Sequence, residues 1–437
     1  MNSNGHVLVS ITGDPLSLAH IKLIEAAAAL GEVVVAVISD VACQGNRQQP
    51  AQNIEQRKSM IKGLRAVDEV VTQHSWSYAE VIRQVKPRFF VHSDNWEFSH
   101  GQKIKLETSA ALNEVDGELR EIPFASGTPW KSSNEPDQSF PEARRRAISN
   151  LLSFDRTLAF IEAHSPLSAL IVEKFKRVHG LNNDLAIPGY DGLWSSSLTD
   201  STVRGVPDTE KLDFSQRMAN VQEMFHSTTL PLIYDADTGG QTEHLIQNIR
   251  QMESLGVSAC IIEDKTGLKR NSLFGNEVAQ TQDSMGSFSR KIEECAASRS
   301  NQDFLIIARI ESLILDKGLD DAHARSEAYL ASGASAIMIH SRKKEEDEIA
   351  QFAAKFKRDY PSTPLVLVPT SYNHVPFQQL EDLGADIVIF ANHLLRASHH
   401  GMLKTAESIL KFGRTKEADH DITSVAETLS IIPGTRN

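Results

Sequence analysis

Eight short apolar runs, each followed by a helical pattern, fill most of the second part of this 437-residue chain. In one clear helical pattern, Leu245, Ile249 and Met252 recur on one face at a period of about 3.6 residues. Eight strands, each with its helix, over about 260 residues are typical of a (β/α)8 barrel. The apolar runs cover residues 158–163, 192–196, 231–236, 259–262, 304–310, 336–339, 365–368 and 387–390.

The first part of the chain also alternates strand and helix patterns, which predicts a parallel, doubly wound sheet. A last helix and strand are expected to end near Pro123. The predicted fold class is therefore α/β, with a Rossmann-like domain followed by the barrel. The strand patterns cover residues 6–11, 33–38, 69–71 and 89–92, and the helical patterns cover residues 18–30, 54–64 and 78–85.

The segment between these two parts reads SGTPWKSSNEPDQSFP at residues 126–141 and has neither helical nor alternating periodicity. A chain of this length is expected to contain two folded units, so we place their boundary here. The polar, aperiodic residues near the end predict a loosely packed extension. The predicted division is a first domain at 1–135, a linker with a lead-in helix at 136–150, the barrel at 151–414 and a tail at 415–437.

The charge balance excludes some classes of partner. Lys and Arg total 45 and Asp and Glu total 57, which gives a net charge of −12 and disfavours non-specific binding to nucleic acid or anionic membranes. No apolar run reaches the roughly 18 residues of a membrane span. Cys43, Cys260 and Cys295 lie far apart and predict neither a disulfide framework nor a zinc site, so we expect a cytoplasmic protein.

Three acids follow neighbouring strand patterns of the predicted barrel. Asp235 and Asp237 come at the end of the third strand, and Glu263 comes at the end of the fourth. The reacting groups of such barrels lie at the carboxyl ends of the strands. Three carboxylates at one rim repel each other unless a hard cation lies among them, which predicts a Mg²⁺ site. The alternative is that one or more of them caps a helix.

Cationic and amide side chains are predicted at the same rim. Arg309 offers a planar fork for a carboxylate or phosphate, although it could instead pair with Glu311. His340 ends the sixth strand and is either a ligand of the substrate or a structural histidine. The stretch EDKTGLKRNS at 263–272 places several cations and amides after the fourth strand, where they could cover a phosphoryl group or form a solvated loop.

The motifs EDK-x5-NS, DADTG, WSSSL, ARIES and ANHLLRAS resemble those of the phosphoenolpyruvate mutase family in the isocitrate lyase superfamily. The resemblance covers residues from about 158 to 412. It implies the interconversion of phosphoenolpyruvate and 3-phosphonopyruvate, which forms the carbon–phosphorus bond of phosphonates, with Mg²⁺ as cofactor. It also implies a barrel whose eighth helix is exchanged between subunits of a homodimer or homotetramer. Because the equilibrium in this family favours the phosphate ester, a draining partner such as phosphonopyruvate decarboxylase is expected.

The resemblance also implies roles for individual residues. Asp235 would hold Mg²⁺, with Asp237 and Glu263 acting largely through water bound to the metal. Asp208 matches a loop aspartate that is either a phosphoryl carrier or a gate. Further residues are implied for the pyruvyl pocket (Trp194, Ser196, Ser197 and Leu198), for the phosphoryl group and the enolate (Arg309 and His340) and for closure over the site (Lys269, Asn271 and Ser272).

Two related activities compete with this interpretation. Lyases of the superfamily carry a cysteine in the loop after the fourth strand, and this chain has none there, which disfavours carbon–carbon cleavage. Phosphonopyruvate hydrolase shares nearly every rim residue but generally lacks the asparagine of the NS pair, so Asn271 favours the mutase. Ser195 and Ser197 depart from the small residues usual in the family, and the segment 175–189 is longer than usual.

The first domain resembles the cytidylyltransferase-type domain that precedes some of these mutases. The resemblance rests on ALGEVVVAVISD, EQRKSMIKGLRAVDEVV and IRQVKPRFFVHSDNW. The family's HxGH stretch reads SLAH here and keeps only the second histidine, which predicts a degenerate scaffold without triphosphate chemistry. The alternative is activation of a phosphonate with CTP. The residues that would then act on the nucleotide are His20, Arg57, Asp94 and Ser132.

Overall fold

The computed structural model describes residues 5–14, 16, 18–44, 50, 52–94, 96, 101–122, 141–154, 156–177, 185–267, 269–272 and 279–432. These residues form two compact units. The first contains the described residues up to 122, with 177 and 185–188, and the second contains the remainder. Residues 123–140 lie outside the described residues; they include the aperiodic segment 126–141 except its last residue, and the first five residues of the predicted linker and lead-in helix at 136–150. Within the described ranges, no helix is both long and apolar enough to cross a lipid bilayer.

The first unit is built on a parallel sheet of five strands in the order β3-β2-β1-β4-β5, which confirms the predicted doubly wound sheet. The strands are β1 (Val7–Ile11), β2 (Val33–Ile38), β3 (Glu69–Gln73), β4 (Phe89–Ser93) and β5 (Glu118–Ile122). The helices are α1 (Leu18–Ala28), α2 (Asp40–Gln44), α3 (Ile54–Lys62), α4 (Ala79–Val85) and α5 (Gly101–Glu114).

Both faces of this sheet are covered, because alternate residues of its central strands enter two separate apolar clusters. Val7 and Val9 of β1 pack on one face with Ile24 of α1. Leu8 packs on the opposite face with Ile82 of α4. Strands buried on both faces explain the nearly continuous apolar sequence of β1 and β2.

The second unit is a closed barrel of eight parallel strands, as predicted. Its last strand pairs with its first, Val388 lying opposite Ala159. The barrel strands are β6 (Leu158–Glu162), β7 (Gly192–Ser195), β8 (Leu232–Asp235), β9 (Ala259–Glu263), β12 (Leu305–Ile310), β13 (Ala336–Ile339), β14 (Leu365–Leu367) and β15 (Ile387–Phe390). Two further strands, β10 (Lys265–Thr266) and β11 (Thr281–Gln282), form a short antiparallel ribbon after β9.

The helices of the second unit surround the barrel. The inward faces of most of them and the outer faces of the strands share one large apolar cluster. The helices are α6 (Pro141–Leu152), α7 (Pro166–Lys174), α8 (Ser197–Val203), α9 (Phe214–Phe225), α10 (Thr242–Leu255), α11 (Met285–Ser298), α12 (Gly318–Ala331), α13 (Asp347–Asp359), α14 (Phe377–Asp382), α15 (His393–Phe412) and α16 (Val425–Ser430).

Helix α6 closes the end of the barrel at which the strands begin. Its Ile148 and Leu151 are buried in the same cluster as the inward-facing side chains of the strands, among them Leu158 and Phe160. The interior is tightly filled: a Cβ on Gly192 would lie 2.1 Å from the Phe160 ring, so only glycine fits at the start of β7. The barrel is therefore a packed core, and its open end is the one at which the strands end.

The last helix of the barrel differs from the others. Helix α15 is 20 residues long and has no buried side chain, although it carries large apolar residues such as Met402, Leu403 and Leu410. The predicted tail contains a 3-10 turn at Ala418–His420 and the short helix α16, whose residues are also exposed. The sequence pattern did not indicate α16, because a six-residue helix is too short to show a period.

Candidate functional site

The predicted site residues of the barrel line one cavity at the ends of the strands, with the exception of Asp237, which is buried. These residues lie at five strand ends, in the connection between α8 and α9, which carries Asp208, and in the segment after β9. Its lining contains the predicted residues Trp194, Ser196, Ser197, Leu198, Asp208, Asp235, Glu263, Lys269, Asn271, Ser272, Arg309 and His340, with Thr370 and Asn392 from the ends of the last two strands.

The three predicted metal ligands lie at the ends of two neighbouring strands. Asp235 is the last residue of β8 and Glu263 is the last residue of β9. Oδ2 of Asp235 accepts hydrogen bonds from the backbone N–H and the hydroxyl of Ser197, at 3.3 and 3.1 Å. Its Oδ1 accepts the N–H of Asp237 at 3.2 Å. These contacts hold the Asp235 carboxylate in place beneath the cavity.

Burial and neighbouring cations act against each other on these carboxyl groups. Burial raises the pKa of Glu263 to about 7, although cations, Arg309 first, act in the opposite direction. Burial also raises the pKa of Asp237, against the influence of the Lys269 ammonium. For Asp235 the effect of burial is outweighed by the surrounding cations, again Lys269 first, and its pKa is lowered. The site therefore holds negative charge only because cations compensate it.

One set of side chains in the described part of the chain brings three ligand atoms within 4.8 Å, as a metal ion requires: Glu345, Glu346 and His374. This group is mostly exposed and lies outside the cavity. Asp235, Asp237 and Glu263 do not form such a group. Cations neutralise them instead: the Lys269 ammonium contacts Asp237, and Nη1 of Arg309 lies 3.4 Å from Glu263.

Arg309 joins two strand ends to the segment after β9. Its Nε donates to Glu311 at 2.6 Å, so the salt bridge considered from the sequence is present. Its Nη2 donates to the hydroxyl of Ser272 at 2.6 Å and to Nδ1 of His340 at 3.2 Å. The hydroxyl of Ser272 in turn donates to Glu311 at 2.7 Å. The guanidinium is thus fixed from behind while it lines the cavity.

His340 is a neutral imidazole in this environment. Burial, assisted by the positive charge of Arg309, lowers its pKa to about 3. Because a guanidinium has no acceptor, Nδ1 must accept from Arg309, which leaves the proton on Nε2. Nε2 is buried and has no hydrogen-bond partner among the described residues. Among the described residues, this donor is therefore left for a molecule in the cavity to satisfy.

The segment after β9 reaches across the cavity to the neighbouring loops. Lys269 donates to Asp208 at 2.6 Å and also contacts Ser197 and Asp237. Burial opposes the charge on Lys269, but the surrounding carboxylates, Asp237 first, raise its pKa. Nδ2 of Asn271 lies 3.5 Å from the second carboxylate oxygen of Asp208. The side chains predicted to close over the site therefore stand at its mouth.

Two further buried charges support these residues: Glu311, which the sequence offered only as a partner of Arg309, and Arg217, which sequence reasoning missed. Glu311 accepts from Arg309 and Ser272, and although burial opposes this, Arg309 and Lys265 lower its pKa to about 2. Arg217 lies behind the acids, with Nη1 donating to the carbonyl of Asp235 at 2.6 Å. Glu311 belongs to the ARIES motif, which was a usable signal. No local pattern marks Arg217, because its partners come from other elements.

The predicted nucleotide residues of the first unit are only partly brought together. His20 is in the first turn of α1 and Asp94 follows β4, so both lie at the carboxyl edge of two adjacent strands. Arg57 is fully buried and bonds the carbonyls of Ile38 and Gln52, at 2.8 and 3.1 Å, and Asp40. Its guanidinium therefore joins elements of the domain. Ser132 lies outside the described residues.

Comparison with known proteins gives two family matches. Residues 148–410 match the family described as phosphoenolpyruvate phosphomutase, and residues 12–150 match the cytidylyltransferase-like family. The phosphoenolpyruvate phosphomutase of Tetrahymena pyriformis is 31% identical over 298 residues, which cover 67% of this chain and 93% of that protein. The phosphonopyruvate hydrolase of Variovorax sp. (strain Pal2) is 33% identical over 291 residues, which cover 66% and 94%.

A similar solved structure is that of a phosphonopyruvate hydrolase in complex with oxalate and Mg²⁺. It superposes with a TM-score of 0.57 at 31% identity and covers 66% of this chain and 94% of its own. The match therefore extends over nearly the whole of that protein and about two thirds of this chain. Both a mutase and a hydrolase are relatives at about 30% identity.

Proposed function

The chain belongs to the phosphoenolpyruvate phosphomutase family, and we propose from its site that it interconverts phosphoenolpyruvate and 3-phosphonopyruvate. In this reaction the O–P bond of the phosphate ester breaks and a C–P bond forms at C3 of the same enolate. No water enters, and the two compounds are isomers. An enzyme that drains phosphonopyruvate, such as a decarboxylase, is the proposed partner in the cell.

The observation that carries this proposal is the cationic and amide cover at the mouth of the barrel. Lys269 and Ser272 reach from the segment after β9 to Asp208 and Arg309, at 2.6 Å in each case. Moving a phosphoryl group requires positioning, charge neutralisation and the exclusion of water. A cover that bonds to the opposite side of the cavity supports all three.

We assign the substrate's parts to the charged groups that line the cavity. Arg309 and the Nε2–H of His340 would hold the phosphoryl group and steady the enolate oxygen, with Asn271 as a further donor to the phosphoryl oxygens. Ser196, assisted by neighbouring backbone N–H groups, would bind the carboxylate. Trp194, Ser197 and Leu198 would shape the pocket around the pyruvyl carbons, and Asp208 would act as phosphoryl carrier or gate.

The acids are proposed to hold Mg²⁺. Oδ1 of Asp237 and Oε1 of Glu263 are buried beside ammonium groups, with Lys269 in contact with the first and Lys265 3.3 Å from the second. With Asp235 they offer the hard oxygen ligands that Mg²⁺ prefers. The ion, when bound, would neutralise negative charge on the enolate and the phosphoryl group. Lys269, which contacts Asp237 in this structure, would then be released from that carboxylate and could contact the substrate's oxygens.

The mutase is preferred to the hydrolase because of Asn271. Its amide lines the cavity beside Asp208, and an amide that grips the phosphoryl oxygens would occupy space that an attacking water needs. The identity to the hydrolase from Variovorax is as high as that to the mutase from Tetrahymena, so identity alone does not separate the two activities.

We propose that the first unit is a scaffold rather than a second enzyme. The support is Arg57, a candidate for binding nucleotide phosphates, which is buried and bonded to the carbonyls of Ile38 and Gln52. A guanidinium used in this way could not also neutralise a triphosphate. The loss of the first histidine of the HxGH stretch points the same way.

Phosphorus NMR of the full chain with Mg²⁺ and phosphonopyruvate tests the proposal. The expected result is the appearance of phosphoenolpyruvate, whereas inorganic phosphate as the main product would identify a hydrolase. No change in a folded protein would contradict both. The same sample with CTP and a phosphonate is expected to release no pyrophosphate, and its release would overturn the assignment of the first unit as a scaffold.

The exposed last helix supports a homodimer or homotetramer. Helix α15 has no buried side chain, and Leu410 is 84% exposed. Helix α7 also exposes Leu167 and Ile171 on the outside of the barrel. An apolar surface of this kind is costly for a monomer. Light scattering of the purified chain is expected to give the mass of two or four copies, and the mass of one copy would reject the proposal.

A further inference from the structure

The segment that carries Lys269, Asn271 and Ser272 begins and ends in the ribbon formed by β10 and β11. The two strands pair through Lys265 with Gln282 and Thr266 with Thr281. Each strand has two residues, and a two-stranded ribbon of this length is not stable alone. Contacts from the barrel must therefore fix its position.

Gln282 makes those contacts from the returning strand. Its Nε2 donates to Oδ2 of Asp264 at 2.9 Å and to the hydroxyl of Ser312 at 3.0 Å. Both protons of the amide are thereby used. Asp264 follows β9 and Ser312 follows β12, so the side chain ties the ribbon to the ends of two neighbouring barrel strands.

Asp264 is a rigid anchor for this bond. It is fully buried, and its Oδ1 accepts the backbone N–H of Glu311 at 2.9 Å. Its Oδ2 also accepts the hydroxyl of Tyr329 at 2.8 Å and Nη1 of Arg325 at 3.1 Å, both from α12. A further bond runs from the N–H of Asp283 to the carbonyl of Asp264 at 2.8 Å.

A short chain of contacts connects Gln282 to the cavity. Lys265, its partner in the ribbon, donates to the hydroxyl of Ser272 and the carbonyl of Arg270, each at 3.0 Å. Ser272 is bonded to Arg309, which lines the cavity. Gln282, Asp264 and Ser312 do not line the cavity themselves, so they act on the reaction through intermediate contacts. For Gln282 those contacts run through the ribbon, Lys265 and Ser272.

We propose that Gln282 is a positioning residue, which fixes the ribbon on Asp264 and Ser312 and thereby holds Asn271 and Ser272 in place over the phosphoryl group. This inference rests on the proposed function. If the cover is displaced, water can attack the phosphorus of phosphonopyruvate in place of the enolate oxygen. The C–P bond of phosphonopyruvate then breaks, a P–O bond to the water oxygen forms, and the enolate takes up a proton to give pyruvate and inorganic phosphate.

The test is Gln282→Met in the full chain, which keeps the side chain's length and removes its donors. Phosphorus NMR is expected to show isomerisation slowed by about 10- to 100-fold, with a larger share of inorganic phosphate among the products. A general loss of stability would lower both products together and leave their ratio unchanged. Gln282→Asn, which is one methylene shorter, is a second variant with the same expected direction. Thr281→Ala, an exposed residue of the same ribbon, is the matched control and should behave as the wild type.

Hydrogen exchange gives a readout that does not depend on activity. The amide of Asp283 is expected to exchange faster in Gln282→Met than in the wild type, with no change in the amides of the barrel strands. If the wild-type chain shows no turnover, the proposed function is wrong. The exchange rate of the Asp283 amide still tests whether Gln282 fixes the ribbon. Unchanged exchange, or an unchanged product ratio in an active variant, would overturn it.

Discussion

Asp235→Ala is expected to lower kcat/KM by roughly a thousandfold or more, because several kcal/mol of charge stabilisation depend on the metal ion. The carboxylate also accepts three hydrogen bonds, from Ser197 and from the N–H of Asp237, and all three donors lose their acceptor. We also expect the loss of Mg²⁺ binding, which titration calorimetry measures. Rates are measured by the conversion of phosphonopyruvate.

Asp347→Ala is the matched control for this change, because Asp347 is an exposed acid in the first turn of α13. It should retain the wild-type rate and wild-type Mg²⁺ binding. An Asp235→Ala protein that keeps either property would show that the acids at the ends of β8 and β9 are not the metal site. The group Glu345, Glu346 and His374 would then be the next candidate.

Asn271→Ala is expected to reduce the rate of isomerisation by about 10²- to 10³-fold, which is typical for the loss of one donor aimed at developing charge. Its amide lines the cavity, 3.5 Å from Asp208, so the change removes the proposed contact with the phosphoryl group and leaves room for a water. The share of inorganic phosphate should therefore rise. The measurement is phosphorus NMR, with the melting temperature as a check on folding.

The melting temperature of this variant should stay close to that of the wild type, since Asn271 lies in a connecting segment outside the apolar clusters. Asn248→Ala, a partly exposed asparagine on α10, is a suitable control. A wild-type rate and product ratio in Asn271→Ala would remove the main reason to prefer a mutase to a hydrolase.

The barrel could be predicted from the sequence because each strand is a separate apolar run with its own helix. Its rim could also be predicted, since Asp235, Glu263, Arg309 and His340 each stand at or directly after a strand end. Residues at corresponding ends of parallel strands must converge in a closed barrel. For these positions, the order of the strands along the chain is enough to predict which residues lie near each other.

The pairing of charges could not be predicted in the same way. Glu263 lies 3.4 Å from Arg309, and Lys269 contacts Asp237. Which acid pairs with which cation depends on side-chain directions, and the spacing of residues in the sequence does not predict these directions. Arg217 was missed for the same reason, because α9 brings it behind Asp235 from a distance in sequence. In the first unit, Arg57 resembles a phosphate ligand by sequence, yet the fold buries it.

Helix α6 has a consequence for where the two halves of this chain could be separated. Ile148 and Leu151 precede the first strand in sequence but belong to the barrel's interior. A protein cut directly before Leu158 would have a hole in its base, open to solvent beneath Phe160. A fragment that keeps the base of the barrel filled therefore needs helix α6, which begins at Pro141, and cannot start at the first strand.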